Sequence, residues 1–203
     1  QTLIDEIDSN FDAYLFSCMF STSKNTYKEI SNIIRERNKP IIYGGVFSTG
    51  FSDMVLDGNC ADIVIKHEGE KQIVNLLNYW EGHEVPLRNI LFKHSNKTLS
   101  FPMLFEKIDP PNIIPQLKYI KEEIGNYNKY GYLGISSASF SENRISATIL
   151  GNRGCRAACT FCSVHNFMGP KVRTTSEDTT IDTIKYLYEE CGCLLYTSPS
   201  PRD

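Results

Sequence analysis

The sequence lacks any apolar run of the roughly 18 residues that a membrane-spanning helix needs, and it has no secretory signal. It also lacks an excess of positive charge, because 21 lysine and arginine residues are balanced by 24 acidic ones and no basic run exceeds two residues. These absences argue against membrane and nucleic-acid partners. We therefore expect a cytoplasmic protein, whose cysteines are reduced thiols or metal ligands rather than disulfides.

Both ends of the sequence indicate a piece of a longer protein. The chain starts at Gln1 rather than at a methionine, and residues 193–203 read CLLYTSPSPRD, which is the translation of a transposase sequencing adapter. We expect residues 193–203 to be an adapter-derived artefact that belongs neither to the fold nor to any site. Cys193 is then set aside, and six of the seven cysteines remain.

The first part of the chain alternates short apolar runs with amphipathic segments. Strands are predicted at 13–20, 41–46 and 62–66, and helices at 26–38, 51–58 and 70–82. Strand runs that are apolar on nearly every residue are typical of a parallel sheet that is buried on both faces. We predict a doubly wound, Rossmann-like α/β domain over residues 1–86, truncated at its N-terminus.

The rest of the chain divides into a connecting region and a second α/β segment. Residues 87–143 are predicted to hold a hairpin that turns at Ser95 and Asn96, followed by a proline-rich linker. In residues 144–192 a strand leads into a cysteine-rich loop, and a helix opened by a capping box of Thr175 and Asp178 follows. The helix is predicted to bury Ile181, Ile184, Leu187 and Tyr188. The cysteines thus lie on a strand-to-helix connection, where α/β proteins place cofactors.

Three cysteines, Cys155, Cys159 and Cys162, lie within eight residues of this loop. Three thiolates at these spacings can converge on one centre, and Gly151 and Gly154 give the backbone freedom to wrap around it. A disulfide would leave one thiol unpaired. A four-iron four-sulfur cluster with three protein ligands leaves one iron open for chemistry.

A structural zinc site is the alternative use of the three cysteines. His165, three residues after Cys162, would supply the fourth ligand. Structural zinc sites usually join two separated ligand pairs, however, and a single compact loop ties no distant segments together. His165 is better interpreted as a residue at the start of a helix, and the lone Arg173 as a solvated side chain.

The pattern Cys155-x3-Cys159-x2-Cys162, with Phe161 before the third cysteine, resembles the radical S-adenosylmethionine superfamily. The resemblance implies that the open iron binds S-adenosylmethionine and that an electron from the cluster cleaves it to a 5'-deoxyadenosyl radical, which abstracts hydrogen from a small-molecule substrate. It also implies a low-potential electron donor, such as a flavodoxin or ferredoxin. Phe161 would pack beside the adenine, although burial in the core explains an aromatic residue equally well.

The first domain resembles the cobalamin-binding domain found upstream of the radical domain in one large subfamily of these enzymes. The resemblance rests on a Ser-x-Leu-like end of the first strand, a Gly-Gly-x-x-x-Thr run and an acidic turn at 67–70. By this resemblance the cobalamin contacts are Ser17, Met19, Gly44, Gly45 and Thr49. Met19 stands where the pattern has leucine and His67 where it has glycine. A tight turn explains the glycine pair alone about as well as a ligand does.

The resemblance implies a cobalamin-dependent radical S-adenosylmethionine enzyme that transfers a methyl group to an unactivated carbon. Residues 144–192 would be the start of its (β/α) partial barrel, and the fragment by itself is expected to be inactive. Radical cyclisation or rearrangement without methyl transfer is the first alternative, and a non-catalytic zinc or cluster-binding module is the second. Cys18, Cys60 and Cys191 are interpreted as buried structural thiols.

Overall fold

A computed structural model describes residues 11–19, 24–95, 97–105, 110, 112–124, 145–149 and 151–197. The chain divides into two compact units. The first lies within residues 1–106 and 159–169, and the second within residues 107–158 and 170–203. In the described part of the chain, no helix combines the length and apolar character needed to cross a membrane.

The first unit is built on a five-stranded sheet in the order β1-β2-β3-β4-β5. Its strands are β1 (Tyr14–Ser17), β2 (Ile41–Gly44), β3 (Ile63–Ile65), β4 (Ile90–His94) and β5 (Lys97–Ser100). β1, β2 and β3 run parallel to one another, whereas β4 and β5 are antiparallel additions. The predicted α/β class is confirmed, and its parallel part consists of the three strands foreseen from apolar runs.

Helices cover both faces of this sheet. They are α1 (Lys24–Arg35), α2 (Val46–Gly50), α3 (Ser52–Asp57) and α4 (Glu70–Trp80). Ile41 and Tyr43 of β2 belong to a core cluster that α1, α2 and α3 complete, whereas Ile42 belongs to a second cluster with Leu76 of α4. β2 is therefore buried on both faces, which is why its sequence carries no polar alternation.

The hairpin predicted at 87–102 is confirmed and extends the first sheet. β4 pairs antiparallel with both β3 and β5, and Ser95 in the turn has a φ of 49°. Buried Asn89 then fixes the segment that follows: its Nδ2 donates to the Leu104 carbonyl at 2.7 Å, and its Oδ1 accepts from the Leu104 amide at 2.6 Å. These bonds satisfy the amide of Asn89 and hold the chain beside the sheet.

The second unit contains two small sheets and a long helix. Its described elements are α5 (Ile114–Tyr119), a 3-10 turn (Lys121–Glu123), β6 (Ile145–Thr148), β7 (Asn152–Arg153), β8 (Arg173–Thr174), α7 (Glu177–Glu189) and β9 (Cys193–Thr197), while α6 (Val164–Met168) belongs to the first unit. β6 and β9 pair in parallel, and β7 and β8 pair antiparallel. α7 precedes β9 directly, so the β6-to-β9 connection contains the helix expected between parallel strands.

Helix α7 differs from its prediction in two ways. Its N-cap is Ser176 rather than Thr175, since Ser176 Oγ accepts from the Thr179 amide at 3.1 Å. Leu187 is buried as predicted, but Ile181, Ile184 and Tyr188 are exposed and Thr183 is buried. Thr183 can be buried because its hydroxyl donates to the Thr179 carbonyl at 2.7 Å, which satisfies its polar group within the helix.

Residues 193–197 were predicted to lie outside the fold, but they form strand β9 beside β6. Cys193 is completely buried in a cluster with Leu187 and Ile149. An apolar, β-prone run such as CLLYT pairs readily with an open parallel strand whatever its origin. The assignment of these residues to an adapter stays a prediction about their origin.

Candidate functional site

The carboxyl ends of β1 and β2 bring together the residues predicted to line a cofactor. Ser17 pairs with Gly44 across the two strands, and the Cys18 amide donates to the Gly44 carbonyl at 2.8 Å. The Phe47 amide in turn donates to the Cys18 carbonyl at 3.0 Å. Ser17 and Met19 are exposed at this edge and can contact a ligand. In open α/β sheets, ligands bind in the crevice outside the carboxyl ends of the strands.

The two glycines of this edge are required for different reasons. Gly45 has a φ of 95°, and a Cβ there would lie 2.6 Å from the Cys18 carbonyl oxygen. It must be glycine so that α2 can pack against the end of β1. A Cβ on Gly44 would meet only the Ile65 carbonyl oxygen, at 3.8 Å. Packing within the chain thus requires glycine at position 45. It does not require glycine at position 44, where the space beside the backbone is open to a ligand.

Thr49 connects this edge to the loop after β3. Its amide donates to the Gly45 carbonyl at 3.0 Å, and its Oγ1 accepts from the His67 amide at 2.9 Å. The Thr49 side chain is buried, so the hydroxyl holds two parts of the protein together. The cobalamin contact of Thr49 stays a prediction. Its hydroxyl accepts a hydrogen bond from His67 and can still donate its own proton to a ligand.

The acidic turn after β3 contains His67, which stands where the glycine-rich pattern has glycine. His67 has a φ of 64°, and its Nδ1 lies 3.1 Å from the Asn166 carbonyl oxygen. Its ring also lies against the Phe105 ring, with centroids 4.5 Å apart. Sequence reasoning missed this contact because Asn166 lies 99 positions away.

The cysteine-rich loop is closed at its base by the short β7–β8 pairing. Cys155, Cys159 and Cys162 are unpaired thiols; Cys159 is exposed and the others are half-buried. The Ala157 amide donates to Cys155 Sγ at 3.4 Å, a type of contact that also stabilises metal-bound sulfur. Among the described residues, no three His, Cys, Asp or Glu side chains are grouped as metal ligands. The donor set fits an iron–sulfur cluster, whose binding would itself draw the ligands together.

Three residues near the cysteines in sequence, Phe161, His165 and Arg173, were given predicted positions that the structure can be compared with. Phe161 is 90% exposed, so the interpretation of this ring as part of the core is wrong. His165 lies in the first turn of α6, and its carbonyl accepts from the Gly169 amide, which confirms a helix-start position. Arg173 is buried, contrary to the expectation of a solvated side chain.

The other cysteines form a separate set of buried side chains. Cys18, Cys60 and Cys191 are almost completely buried, as predicted. Burial raises the pKa of the Cys18 thiol to about 11 and also raises the pKa of Cys191. The Cys18 and Cys191 thiols therefore stay protonated at neutral pH, whereas metal binding requires the thiolate. Burial thus separates the cysteines of the loop from the structural ones.

The chain is an α/β protein with three accessible thiols in one loop and an open glycine at the carboxyl edge of its first sheet. Two solved structures of the radical S-adenosylmethionine methyltransferase TsrM from Kitasatospora setae have a similar fold. The one with cobalamin and a [4Fe-4S] cluster aligns over 97% of this chain with a TM-score of 0.65 and 14% identity. The one with tryptophan and a S-adenosylmethionine analogue aligns over 87% with a TM-score of 0.59 and 16% identity.

The structure of the cobalamin-dependent S-adenosylmethionine radical enzyme OxsB with aqua-cobalamin is also similar. It aligns over 98% of this chain with a TM-score of 0.67 and 18% identity. The chain spans 39% and 33% of the two TsrM chains and 26% of the OxsB chain. At these identities the similarity establishes the fold. The sequence matches no family model and no curated protein.

Proposed function

We propose that this chain carries the cluster site and the cobalamin site of a radical S-adenosylmethionine enzyme that transfers a methyl group to an unactivated carbon. One observation carries the proposal: three accessible thiols at x3 and x2 spacing occur in a chain whose fold is that of cobalamin-dependent radical enzymes. The cysteine spacing supports the iron–sulfur cluster, and the similarity in fold supports cobalamin as the second cofactor.

In this proposal Cys155, Cys159 and Cys162 hold a four-iron four-sulfur cluster. A bound cluster with one open iron supplies the electron for reductive cleavage of S-adenosylmethionine. The chain's own contribution is to present three accessible cysteines from one loop and to keep Cys18, Cys60 and Cys191 buried. Phe161 offers an exposed, flat apolar face beside Cys162, which suits stacking on the adenine ring.

The cobalamin site in this proposal is the edge formed by the ends of β1 and β2. A bound cobalamin supplies a cobalt centre that can carry a methyl group. Ser17 and Met19 are exposed there, and Gly44 leaves the backbone uncovered. These features fit a large ligand that lies against the main chain. Ser48 and Thr49 are the buried polar residues that follow this edge in sequence.

Methyl transfer is favoured over cyclisation or rearrangement by the activity of one similar protein. TsrM is a methyltransferase, whereas OxsB is described only as a cobalamin-dependent radical enzyme. Both alternatives use the same two cofactors and a small-molecule substrate. They differ in whether a methyl group leaves the cobalt, which product analysis of the complete enzyme would decide.

Anaerobic reconstitution with iron and sulfide tests the cluster assignment. We expect the broad visible absorbance of a four-iron cluster and, after reduction, an electron paramagnetic resonance signal that shifts when S-adenosylmethionine is added. A parallel sample receives zinc in place of iron as control. Uptake of one zinc with no cluster from the iron sample would show that the three cysteines form a structural zinc site instead.

Cobalamin binding is expected to weaken in a Gly44→Ala variant. The added methyl group meets no protein atom closer than 3.8 Å, so the fold keeps its stability, but it projects into the space assigned to the ligand. We expect the Kd for hydroxocobalamin to rise by about tenfold, the size of effect that a misplaced methyl group has in a packed contact. Titration followed by visible absorbance measures it.

Gly50→Ala is the matched control for this variant. Gly50 lies at the end of α2, and an added Cβ there has no heavy atom within 4 Å. Its Kd should equal that of the unsubstituted chain. Equal affinity of all three proteins, or no binding by any of them, would count against a cobalamin site at this edge.

A further inference from the structure

The segment that carries two of the three cysteines meets the loop after β3 at His67. Residues 159–169, which include Cys159, Cys162 and α6, belong to the same compact unit as β1–β5. The loop after β3 meets this segment through His67, whose Nδ1 lies 3.1 Å from the Asn166 carbonyl oxygen. That carbonyl lies in the last turn of α6, where helical carbonyls have no partner within their own helix.

The backbone of His67 has a conformation that is energetically unfavourable for a residue with a side chain. Its φ of 64° lies in the left-handed region, which glycine adopts freely and other residues adopt unfavourably. The His67 amide is fixed by the Thr49 hydroxyl at 2.9 Å. A non-glycine residue persists in this conformation when its surroundings determine it, and such residues cluster at functional positions.

A second contact reinforces the first. The His67 ring packs on the Phe105 ring with centroids 4.5 Å apart. A Cβ built on Gly169, directly after α6, would lie 3.4 Å from Phe105 Cδ1. The Phe105 ring therefore lies beside both the His67 ring and Gly169, at the end of the cysteine-bearing segment.

The charge state of the ring suits this contact. Burial lowers the pKa of His67, and Lys66 lowers it further, while the Asn166 and Phe167 carbonyls and Glu68 act in the opposite direction. The ring is therefore neutral at neutral pH. Its Nδ1 must then carry the single proton in order to donate to the Asn166 carbonyl.

We infer that His67 is a positioning residue that holds the Cys159–Gly169 segment against the carboxyl edge of the sheet. If the proposed function is correct, this contact holds Cys159 and Cys162 near the cobalamin edge, since Thr49 anchors the same histidine to that edge. The contact itself is formed by protein groups alone and can be tested without either cofactor.

Amide hydrogen exchange of the chain without cofactors tests the contact directly. The Phe167 and Gly169 amides are bonded within α6 to the Ser163 and His165 carbonyls. A helix this short keeps such bonds only while it is docked. In His67→Gly we expect both amides to exchange about tenfold faster, while the Cys18 amide in the sheet keeps its protection.

His67→Asn is the conservative variant, because asparagine tolerates the left-handed backbone and places an amide donor where Nδ1 stands. We expect it to restore part of the protection at Phe167 and Gly169. His83→Asn, at an exposed histidine, should change nothing. Unchanged exchange at Phe167 and Gly169 in His67→Gly, or equal loss of protection at Cys18, would overturn the positioning role.

A second measurement connects the contact to the cluster. After anaerobic reconstitution, iron should be lost to a chelator several-fold faster from His67→Gly than from His83→Asn. Equal rates would show that the contact does not support the cluster ligands. Failure of the unsubstituted chain to form a cluster would instead contradict the proposed function, and the exchange experiment would still decide the role of His67.

Discussion

A Cys159→Ala chain is expected to bind no cluster after anaerobic reconstitution, with its iron content and reduced-state resonance signal at background. Three thiolates are the smallest protein ligand set that holds a four-iron cluster with one open iron, and Cys159 is the middle and most exposed of them. Removal of one ligand leaves two, which cannot retain the cluster against chelators. Iron analysis and electron paramagnetic resonance measure the loss.

Cys60→Ala is the matched control, because it also removes one thiol from the first unit. Cys60 is 4% exposed and lies in the core cluster beside Val55 and Leu56. The loss of its sulfur should lower the stability of the fold by about 1 kcal/mol and leave the cluster intact. Full cluster assembly in Cys159→Ala, or equal loss in both variants, would show that these cysteines are not the ligands.

Gly45→Ala is expected to lower the free energy of unfolding by about 3 kcal/mol. The left-handed backbone at Gly45 disfavours any side chain, and the new methyl group would lie 2.6 Å from the Cys18 carbonyl oxygen, a backbone atom that cannot swing away. The junction of β1, β2 and α2 would have to separate. Urea denaturation measures the effect through Trp80, the only tryptophan, which lies in α4 of the same unit.

Gly44→Ala provides the comparison for this prediction, because it adds the same methyl group to the neighbouring residue. An alanine in place of a glycine within a strand is neutral or slightly stabilising where space exists, and only the Ile65 carbonyl oxygen lies within 4 Å. Similar unfolding midpoints for the two variants would refute the assignment of Gly45 to packing. The pair therefore separates the structural glycine from the glycine assigned to the ligand.

Local patterns were sufficient for the elements that bury a continuous apolar surface. β2 and β3 were predicted because each reads as an apolar run, and α4 because its apolar residues recur at helical spacing. The apolar residues of α4 are not all buried: Leu76 is buried, whereas Val74 and Trp80 are substantially exposed. Periodicity gives the direction of a buried face, but the width of that face depends on what covers it.

The features of the candidate site also divide into those that the sequence predicts and those that only the structure shows. The cysteine spacing and the glycine pair could be found by reading the chain, because each lies within a short segment whose chemistry is local. The exposure of Phe161 and the burial of Arg173 could not, because solvent access is a property of the neighbours that the fold supplies.

The sequence by itself determined the α/β class, the hairpin and the set of three thiols that can share one metal centre. Only the tertiary structure decided that Gly45 is required by the Cys18 backbone, that Gly44 is open, and that His67 reaches Asn166. These facts depend on strand register and on contacts between residues far apart in the chain. Local propensity does not encode such contacts, because they form only when loop closure and core packing bring the segments together.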